Sequence, residues 1–599
     1  MSLESPDKIT DSQYRYDSFE NGKVLLNKKK NHLPAMGWNS WNAFGSGNTQ
    51  FLTKIMADKI VELGLKDLGY KYVILDDGCY KAQRIDGKLS NDEVKFPDGF
   101  KTLSDYIHSK GLKFGMYNDI GTNLCAGAAV GTCGHEKTDA QSYIDWGVDF
   151  LKIDNCYFLW DNATFSNPEN ARYVFAPKIK GVEIKGPNNQ LNQTMGTGIN
   201  IKISAKDGKL SGNGAKLEQD YVTDLGTFDG TNTGISPIGP RSGELQFTIT
   251  VAEAGIYKLT VEYASGKENG IGQWLQLAVG TGINCKYYYD DLLPETLDKN
   301  SFQISEEINI ELTAGENIIR IMNHRRQENT LCSYAAMLEG LNEANPNHDI
   351  LLSLCEWGKT QPQNWGYKVG DSWRILNDIT FRVGSDGDAG FGEWNNPGTQ
   401  SVCSQYNKAV VMDKFAGLDK GWNDPDMLMV GMKGLTPEMN KTHFTMWCMM
   451  NAPLMLGLDL RRVLKGDELY NIISNKDLID LNQDVLGVQA KRIWTSYDSK
   501  APDKDYIQDN NRFDILAKPL SDGGVAVALF NLSDTAASKS VSVSFDMINR
   551  MLGKKMKNKL DVTKEYKVKD LWSKAEKSVK GEFSFEAVPP CDCIVVKVY

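Results

Sequence analysis

Between residues 37 and 175, short apolar segments alternate with stretches of helical periodicity. Residues 51–68 carry apolar side chains at helical spacing and are followed by Gly69, where a helix is expected to end. The apolar segments are short and continuous, as strands buried on both faces of a parallel sheet are. They lie at 37–41, 72–75, 113–117 and 149–153. A strand, a helix and a second strand in this order predict βαβ units and hence an α/β fold.

The alternation stops at about residue 178 and resumes near residue 329. The intervening segment is rich in Gly, Asn and Thr and shows strand-like alternation, which predicts an inserted β-sandwich. Its best strands are at 245–251, 256–263, 308–312 and 317–322. A helix beginning near Ser333 should follow, and then four more strands at 350–355, 375–379, 422–429 and 453–458. Four strands before the insertion and four after it are the number that a closed (β/α)8 barrel requires.

A chain of 599 residues is long enough for several domains. Beyond about residue 489 the pattern returns to short β segments, which predicts a C-terminal antiparallel β-sandwich with strands such as 525–530 and 593–598. The predicted organisation is therefore an N-terminal extension, a TIM barrel interrupted by a β-sandwich, and a second sandwich. Their bounds are 1–30 for the extension, 31–177 and 329–489 for the barrel, 178–328 for the insertion and 490–599 for the C-terminal domain.

The charge balance narrows the classes of partner. With a net charge of -10 and a pI near 5.4, the chain would repel nucleic acids and anionic membranes, so we expect neither as a partner. No apolar run approaches the ~20 residues that span a bilayer, and the first 30 residues lack a signal-peptide pattern. Eleven cysteines in so long a chain are not a disulfide framework. These features favour a cytoplasmic over a secreted setting, and they leave secretion and homo-oligomers open.

Polar side chains follow the carboxyl ends of the predicted barrel strands. They are Trp41, Asp76, Asp77, Tyr117, Asp119, Lys152, Asp154, Glu356, Arg374, Asp378, Asp424 and Asp426. Strand ends of this kind meet on one face of a barrel, and that face carries the active site in enzymes of this architecture. A single Asp after a strand also serves to cap the next helix. Five strands that all end in this way instead predict a catalytic rim.

Two carboxylates that face each other across a site can cleave a glycosidic bond, at a separation of about 5–5.5 Å in retaining enzymes. Lys152 precedes Asp154 by two residues, so both side chains should point to the same face of the strand, where Lys152 would keep Asp154 ionised. Arg374 precedes Asp378 by four residues and suits bidentate contact with a carboxylate or a hydroxyl.

Seven short motifs in this order resemble those of glycoside hydrolase family 27, which contains α-galactosidases and α-N-acetylgalactosaminidases. They are Gly37-Trp38-Asn39-Ser40-Trp41, Leu75-Asp76-Asp77-Gly78, Gly115-Met116-Tyr117-Asn118-Asp119, Lys152-Ile153-Asp154-Asn155-Cys156, Leu354-Cys355-Glu356-Trp357, Trp373-Arg374 with Asp378-Ile379, and Trp422-Asn423-Asp424-Pro425-Asp426. The motifs span both parts of the predicted barrel. The resemblance therefore implies an enzyme of this family.

The resemblance also implies a role for each side chain. Asp154 would be the nucleophile, and Asp378 would protonate the leaving oxygen and later activate water. The substrate-binding residues would contact hydroxyls (Asp76, Asp77, Lys152, Arg374), lie beside the nucleophile (Tyr117) or form an apolar floor under the sugar ring (Trp41). Cys125 and Cys156 match a family pair that forms a disulfide beside the site. The cysteine count and the expected compartment do not decide between this disulfide and two buried thiols.

The choice of substrate depends on two positions. Family members that take galactose carry Glu at the position of Glu356, and those that prefer β-L-arabinopyranose replace the Asp at the position of Asp77. We therefore expect an α-galactosidase acting on an oligosaccharide or glycoconjugate with a terminal α-galactose. α-N-Acetylgalactosaminidase and β-L-arabinopyranosidase are the alternatives within the family. A non-catalytic sugar-binding protein is the alternative outside it.

No cofactor or metal is expected. The six histidines lack metal-ligand spacing, and Cys591-Asp592-Cys593 has no second ligand pair that would complete a zinc site. The insertion resembles the carbohydrate-binding β-sandwiches of families 6 and 35 through residues 254–261 and 312–319. These are framework residues, so the resemblance implies a fold more than a binding site.

Overall fold

The computed structural model describes residues 32–121, 123–132, 135–156, 177–187, 199–211, 215–223, 225, 244–265, 274–280, 286–322, 325–358, 362–396 and 400–599. The predicted N-terminal extension lies outside these residues. Within the described residues the α-helices are α1 (Ser40–Phe44), α2 (Gln50–Glu62), α3 (Gly99–Ser109), α4 (Glu136–Trp146), α5 (Arg325–Ala344), α6 (Val402–Ala409), α7 (Pro437–Met449), α8 (Glu468–Ile473), α9 (Lys476–Asn482) and α10 (Phe545–Leu552).

The strands that precede α6 are β1 (Met36–Asn39), β2 (Tyr72–Ile74), β3 (Lys113–Asp119), β4 (Phe150–Asp154), β5 (Lys178–Gly186), β6 (Ile199–Ser204), β7 (Lys209–Ser211), β8 (Lys216–Glu218), β9 (Tyr221–Thr223), β10 (Glu244–Val251), β11 (Gly255–Ala264), β12 (Trp274–Val279), β13 (Lys286–Leu292), β14 (Gln303–Ile304), β15 (Ile308–Leu312), β16 (Gly315–Met322), β17 (Leu351–Cys355), β18 (Ser372–Arg374), β19 (Thr380–Arg382) and β20 (Phe391–Gly392). The strands that follow it are β21 (Trp422–Asp424), β22 (Leu454–Leu456), β23 (Lys491–Thr495), β24 (Phe513–Pro519), β25 (Val525–Asn531), β26 (Val541–Ser544), β27 (Glu565–Asp570), β28 (Glu576–Lys580), β29 (Glu582–Phe585) and β30 (Cys593–Val598).

Eight strands form a closed parallel barrel. Their order is β21-β18-β17-β4-β3-β2-β1-β22, and every pair along this path is parallel. A parallel bridge between Leu428 and Leu456 closes the circle. Apolar side chains from five of the barrel segments pack together in the interior, namely Tyr72, Ile74, Phe150, Leu351, Met427 and Met455. The predicted (β/α)8 barrel is thus confirmed.

Several predicted element bounds are wrong, among them those of the first strand, the sixth strand and α2. The first strand ends at Asn39, because the Asn39 side chain accepts a hydrogen bond from the N–H of Trp41 and caps α1. The sixth strand covers Ser372–Arg374 and not 375–379, so Asp378 lies on a loop past the strand end. Helix α2 ends at Glu62, just ahead of Gly64 with its φ of +76°, and Gly69 ends only a short 3-10 turn at Lys66–Leu68.

The inserted segment lies between β4 and α5 in the chain and forms two sheets around one core. One sheet has the order β13-β12-β16-β10-β7; the other has the order β14-β11-β5-β9-β8, with β15 and β6 paired beside it. Alternate residues of β10 and β11, such as Phe247 and Tyr257, are buried in the shared core. Helix α5 begins at Arg325 rather than near Ser333. The compact unit that contains the insertion includes Cys156–Ala336.

The C-terminal strands form an antiparallel sheet of order β23-β24-β25-β30-β27-β28-β29-β26. Its apolar side chains and those of α10 enclose a core of their own, including Val527, Leu529, Phe545 and Val596. The sheet belongs to the same compact unit as the barrel. The predicted C-terminal β domain is therefore present.

A buried ionic cluster joins the C-terminal sheet to barrel helix α6. Arg492 and Arg512 both contact the carboxylate of Asp514, and all three side chains have no solvent exposure. Although burial alone would raise the pKa of Asp514, the guanidinium groups of Arg512 and Arg492 hold that pKa below its usual value. Tyr406 on α6 donates a hydrogen bond to Asp514 (3.1 Å), and Arg512 donates to Asn407 Oδ1 (2.6 Å).

No helix among the described residues is long and apolar enough to cross a membrane.

Candidate active site

The parallel register of the barrel brings the predicted site residues into adjacent rows. Asp119 at the end of β3 lies opposite Asp154 at the end of β4, which in turn lies opposite Cys355 at the end of β17. Arg374 at the end of β18 lies opposite Asp424 at the end of β21. Because all these strands point the same way, the carboxyl ends converge on one rim.

Asp154 is almost fully buried, with 4% of its surface exposed. The Tyr117 hydroxyl donates to its Oδ2 atom (3.2 Å), and the N–H of Asn155 donates to its Oδ1 atom (2.8 Å). Burial is the main cause that raises the pKa of Asp154 to about 7; the Lys152 ammonium opposes the rise and the charge of Asp378 adds to it. The carboxylate is therefore held by two donors but ionises less readily than an exposed aspartate.

Lys152 forms its ion pair with Asp76 and acts on Asp154 from a distance. Its Nζ atom donates instead to Asp76 Oδ2 (2.8 Å) and lies 5.3 Å from the centre of the Tyr117 ring. Burial alone would lower the pKa of Lys152, but the charges of Asp76 and the neighbouring acids hold it above its usual value. Lys152 thus favours the ionised form of Asp154, but through space, and it does not cancel the effect of burial.

Asp76 and Asp77 occupy different environments although they are neighbours. Asp76 accepts hydrogen bonds from Asn39 (2.7 Å) as well as from Lys152, so its Oδ2 atom is fully engaged. Asp77 accepts a hydrogen bond from the N–H of Ala126 (2.6 Å) on one oxygen, while its buried Oδ1 atom has no partner among the described residues. Burial, with a contribution from the charge of Asp76, raises the pKa of Asp77 to about 6.

Cys125 and Cys156 are both disulfide-bonded, which resolves the alternative left open by the sequence. Their sulfur atoms lie within 4.8 Å of carboxylate oxygens of Asp119 and Asp154. Since disulfide sulfurs are not thiolates, they cannot act as anionic metal ligands.

Arg374 holds a second pair of carboxylates. Its Nη2 atom lies 3.0 Å from Asp378 Oδ1 and 3.0 Å from Asp426 Oδ2. Asp426 has a φ of +78°, an uncommon backbone conformation for a residue other than glycine. Burial raises the pKa of Asp426, although Arg374 opposes this effect. Burial likewise raises the pKa of Asp424 to about 6, against the effect of Arg374.

Asp378 is the accessible carboxylate of the pair, with 48% of its side chain exposed, against 4% for that of Asp426. Its loop lies between β18 and β19 and has no regular secondary structure. Its charge raises the pKa of Asp154, so the two groups are electrostatically linked. The structure thus brings Asp154 and Asp378 into one site.

Glu356 and Trp41 lie at the edges of the same rim. Glu356 is completely buried, and its Oε1 atom accepts a hydrogen bond from Asn155 Nδ2 (3.3 Å). Trp357 follows it with a φ of +61°, which turns the chain sharply past the strand end. Trp41 is half-buried in the first turn of α1 and packs against the apolar barrel interior.

Four residues of this region were not assigned roles from the sequence. Asn39 and Asn155 lie within two of the motifs and each donates a hydrogen bond to an acid, and Asp426 shares Arg374 with Asp378. The sequence showed the motifs that contain these residues, but it did not show which side chains they contact. Gln405 on α6 donates to the carbonyl of Asn377 (2.6 Å), and no sequence signal pointed to it.

Comparison with known proteins places this geometry in a family. The family model for Alpha galactosidase A matches residues 33–171 and 324–484, and the model for the alpha galactosidase C-terminal beta sandwich domain matches residues 510–598. The first match covers half of the chain and includes all the site residues described above.

The chain is also similar to individual alpha-galactosidases over most of their length. The chain is 26% identical to an alpha-galactosidase of Cyamopsis tetragonoloba, over 94% of this chain and 86% of that protein. Among solved structures, alpha-galactosidase I of Mortierella vinacea has a TM-score of 0.58 at 23% identity, with 94% and 96% of the two chains covered. An alpha-galactosidase of Saccharomyces cerevisiae with raffinose has a TM-score of 0.58 at 21% identity, with 95% and 97% covered. The chain therefore belongs to the alpha-galactosidase family of glycoside hydrolases.

Proposed function

We propose that this enzyme removes terminal α-D-galactosyl residues from its substrates by a double displacement that retains the anomeric configuration. The observation that carries the proposal is the contrast between two linked carboxylates. Asp154 is buried and held by two donors, whereas Asp378 is about half exposed at the same rim. A nucleophile must be fixed against the anomeric carbon, and an acid/base must exchange protons with water. Asp154 suits the first role and Asp378 the second.

In the first step, an oxygen of Asp154 attacks the anomeric carbon while the bond to the aglycone oxygen breaks. Asp378 gives its proton to that departing oxygen, and the galactosyl group remains as an ester of Asp154. The hydrogen bonds from Tyr117 and the N–H of Asn155 orient the attacking carboxylate. In the second step, Asp378 takes a proton from water, which attacks the anomeric carbon and releases Asp154.

Recognition of galactose would depend on polar groups that are already buried. Asp77 offers a buried oxygen without a partner among the described residues, which suits a sugar hydroxyl as donor. Asp76 and Lys152 are fixed on each other beside it. Glu356 is fully buried and would accept from the 2-hydroxyl, a hydrogen bond that a 2-acetamido group could not make in the same way. The raffinose-bound yeast relative is compatible with an oligosaccharide substrate.

The two alternatives within the family differ from this proposal in substrate. An α-N-acetylgalactosaminidase would need space beside Glu356 for the acetamido group of its substrate. The substrate of a β-L-arabinopyranosidase would form no additional hydrogen bond with the free oxygen of Asp77. Rates on the 4-nitrophenyl derivatives of α-galactose, α-N-acetylgalactosamine and β-L-arabinopyranose should show the highest kcat/KM for the first. Activity on none of the three would favour a sugar-binding protein without catalysis.

The stereochemical course tests the double displacement directly. Proton NMR of the sugar released in the first minutes should show α-galactose before mutarotation. If β-galactose appears first, the reaction inverts configuration, and Asp154 would then act as a base for water instead of as a nucleophile.

The compartment and the role of the insertion stay predictions. The disulfide state of Cys125 and Cys156 is what an oxidising compartment sustains, whereas the free buried cysteines, such as Cys79 and Cys448, are compatible with either setting. We propose that the inserted β-sandwich engages larger substrates.

A further inference from the structure

We infer that Gln405, which lies on α6 outside the family motifs, is a positioning residue for the acid/base Asp378. The inference rests on the proposed role of Asp378 and adds a residue to it. Asp378 lies on a loop without regular structure, so its strand cannot fix its position. A general acid must nevertheless be held within hydrogen-bond reach of the departing oxygen.

Three contacts fix the backbone on either side of Asp378. Arg374 donates to the carbonyl of Leu376 (3.2 Å), and Gln405 donates to the carbonyl of Asn377 (2.6 Å). The N–H of Ile379 donates to Asp426 (2.7 Å). Arg374 and Asp426 also belong to the ionic network of the site, whereas Gln405 contributes a neutral side chain. Its contact is with the peptide group immediately before Asp378.

The orientation of the Gln405 side chain is determined by its partner. The carbonyl of Asn377 can only accept, so the amide nitrogen of Gln405 must face it. Gln405 has no solvent exposure, and its Oε1 atom is buried without a hydrogen-bond partner among the described residues. A buried polar group that uses only one end of its amide is costly to maintain for packing alone.

Helix α6 is itself firmly anchored, which allows Gln405 to act as a fixed point. Ser401 caps its first turn with a capping box. The next two residues after Gln405 are held from the C-terminal sheet, Tyr406 through Asp514 and Asn407 through Arg512. The C-terminal domain therefore supports the catalytic loop through one helix.

The test measures how the rate depends on the leaving group, using aryl α-galactosides that range from dinitrophenyl to phenyl. Acid assistance matters little for an acidic phenol and strongly for a weakly acidic one. In Gln405→Met we expect kcat/KM for the dinitrophenyl substrate to stay near the wild-type value, and kcat/KM for the phenyl substrate to fall about tenfold or more. An equal loss on all substrates would overturn the inference, since a purely structural role would not depend on the aglycone.

Two further variants make the result interpretable. Gln489→Met removes a similar bond, from a buried Gln to the carbonyl of Ala409 (2.7 Å) at the other end of α6, and should show no dependence on the leaving group.

Asp378→Asn should show a steeper dependence on the leaving group than Gln405→Met. If Asp378→Asn shows none, the proposed acid/base itself is wrong. If Asp378→Asn shows it and Gln405→Met does not, only the positioning role fails. Gln405→Asn, with a shortened amide, serves if Gln405→Met does not fold.

Discussion

Burial of Asp154 opposes stability at the same time as it prepares the carboxylate for attack. Its pKa is about 7 in the folded chain, against an ordinary value of 3.8. Between pH 3.8 and about pH 7, Asp154 keeps a proton in the folded state that it has lost in the unfolded state. This proton therefore stabilises the folded state at low pH. That contribution disappears as the pH rises from 3.8 towards 7. Above pH ~7 the fold must accommodate a buried charge.

This conflict predicts a double effect of Asp154→Asn. Turnover should fall by about 10⁴-fold or more, because the variant lacks the nucleophile. The unfolding temperature should rise by a few degrees at about pH 8 and change little at about pH 4, where the carboxyl is already neutral. Calorimetry at both pH values measures the second effect. Turnover close to that of the wild type, or a loss of stability at the higher pH, would contradict the assignment.

Lys152 predicts a shift in the pH profile. Its ammonium lowers the pKa of Asp154, so Lys152→Met should move the acidic limb of kcat/KM on an aryl galactoside to higher pH. The limb of the wild-type enzyme should already lie above the ordinary aspartate value of 3.8. Lys433→Met, which alters an exposed ion pair with Asp388, is the control and should leave the profile unchanged. A limb that moves to lower pH would show that Lys152 does not act on Asp154.

At the level of elements, hydrophobic periodicity was enough to predict seven of the eight barrel strands close to their observed positions, and the sixth was placed a few residues too late. The strand Ile308–Leu312 of the insertion was predicted with its observed bounds. Errors arose where side chains end an element, as Asn39 does when it caps α1. The loop of Asp378 was predicted as a strand because residues 375–379 include three apolar side chains. These side chains are buried, but residues 375–379 form no strand. Contacts between distant segments, such as Gln405 with Asn377, leave no local pattern in a sequence.

The insertion should be removable without loss of the barrel. The observed start of α5 at Arg325 places the deletion at residues 178–322, replaced by a short Gly/Ser linker, because a cut at 328 would remove the first turn of that helix. We expect activity on 4-nitrophenyl α-galactoside to stay within about tenfold of the wild-type value. Activity on larger galactosides should fall further. A shortened protein that aggregates, or loses both activities equally, would show that the insertion is part of the catalytic unit.

At the scale of the whole molecule, the barrel and the C-terminal sheet belong to one compact unit, and an ionic cluster is buried between them. Removing Arg512 would leave Asp514 with Arg492 as its one arginine partner and Asn407 without its donor. Arg512→Met should therefore lower the free energy of unfolding by about 3–5 kcal/mol. Arg382→Met, which removes an exposed partner of Asp388, should leave the free energy of unfolding nearly unchanged. Urea titration followed by tryptophan fluorescence compares the two variants. Equal losses of the free energy of unfolding would show that the buried cluster does not stabilise the contact between the barrel and the C-terminal sheet.

The position of the insertion also affects how the protein is made. Strands β1–β4 leave the ribosome long before β17, their partner in the closed barrel, since residues 155–350 lie between them. At rates of about 5–20 residues per second, this delay lasts roughly 10–40 seconds. During that time the half barrel has two open sheet edges, at β1 and β4, which offer unpaired backbone groups to any neighbouring chain. The newly made chain would therefore be most exposed to aggregation midway through its synthesis, and these two edges are the surfaces that a chaperone would need to cover.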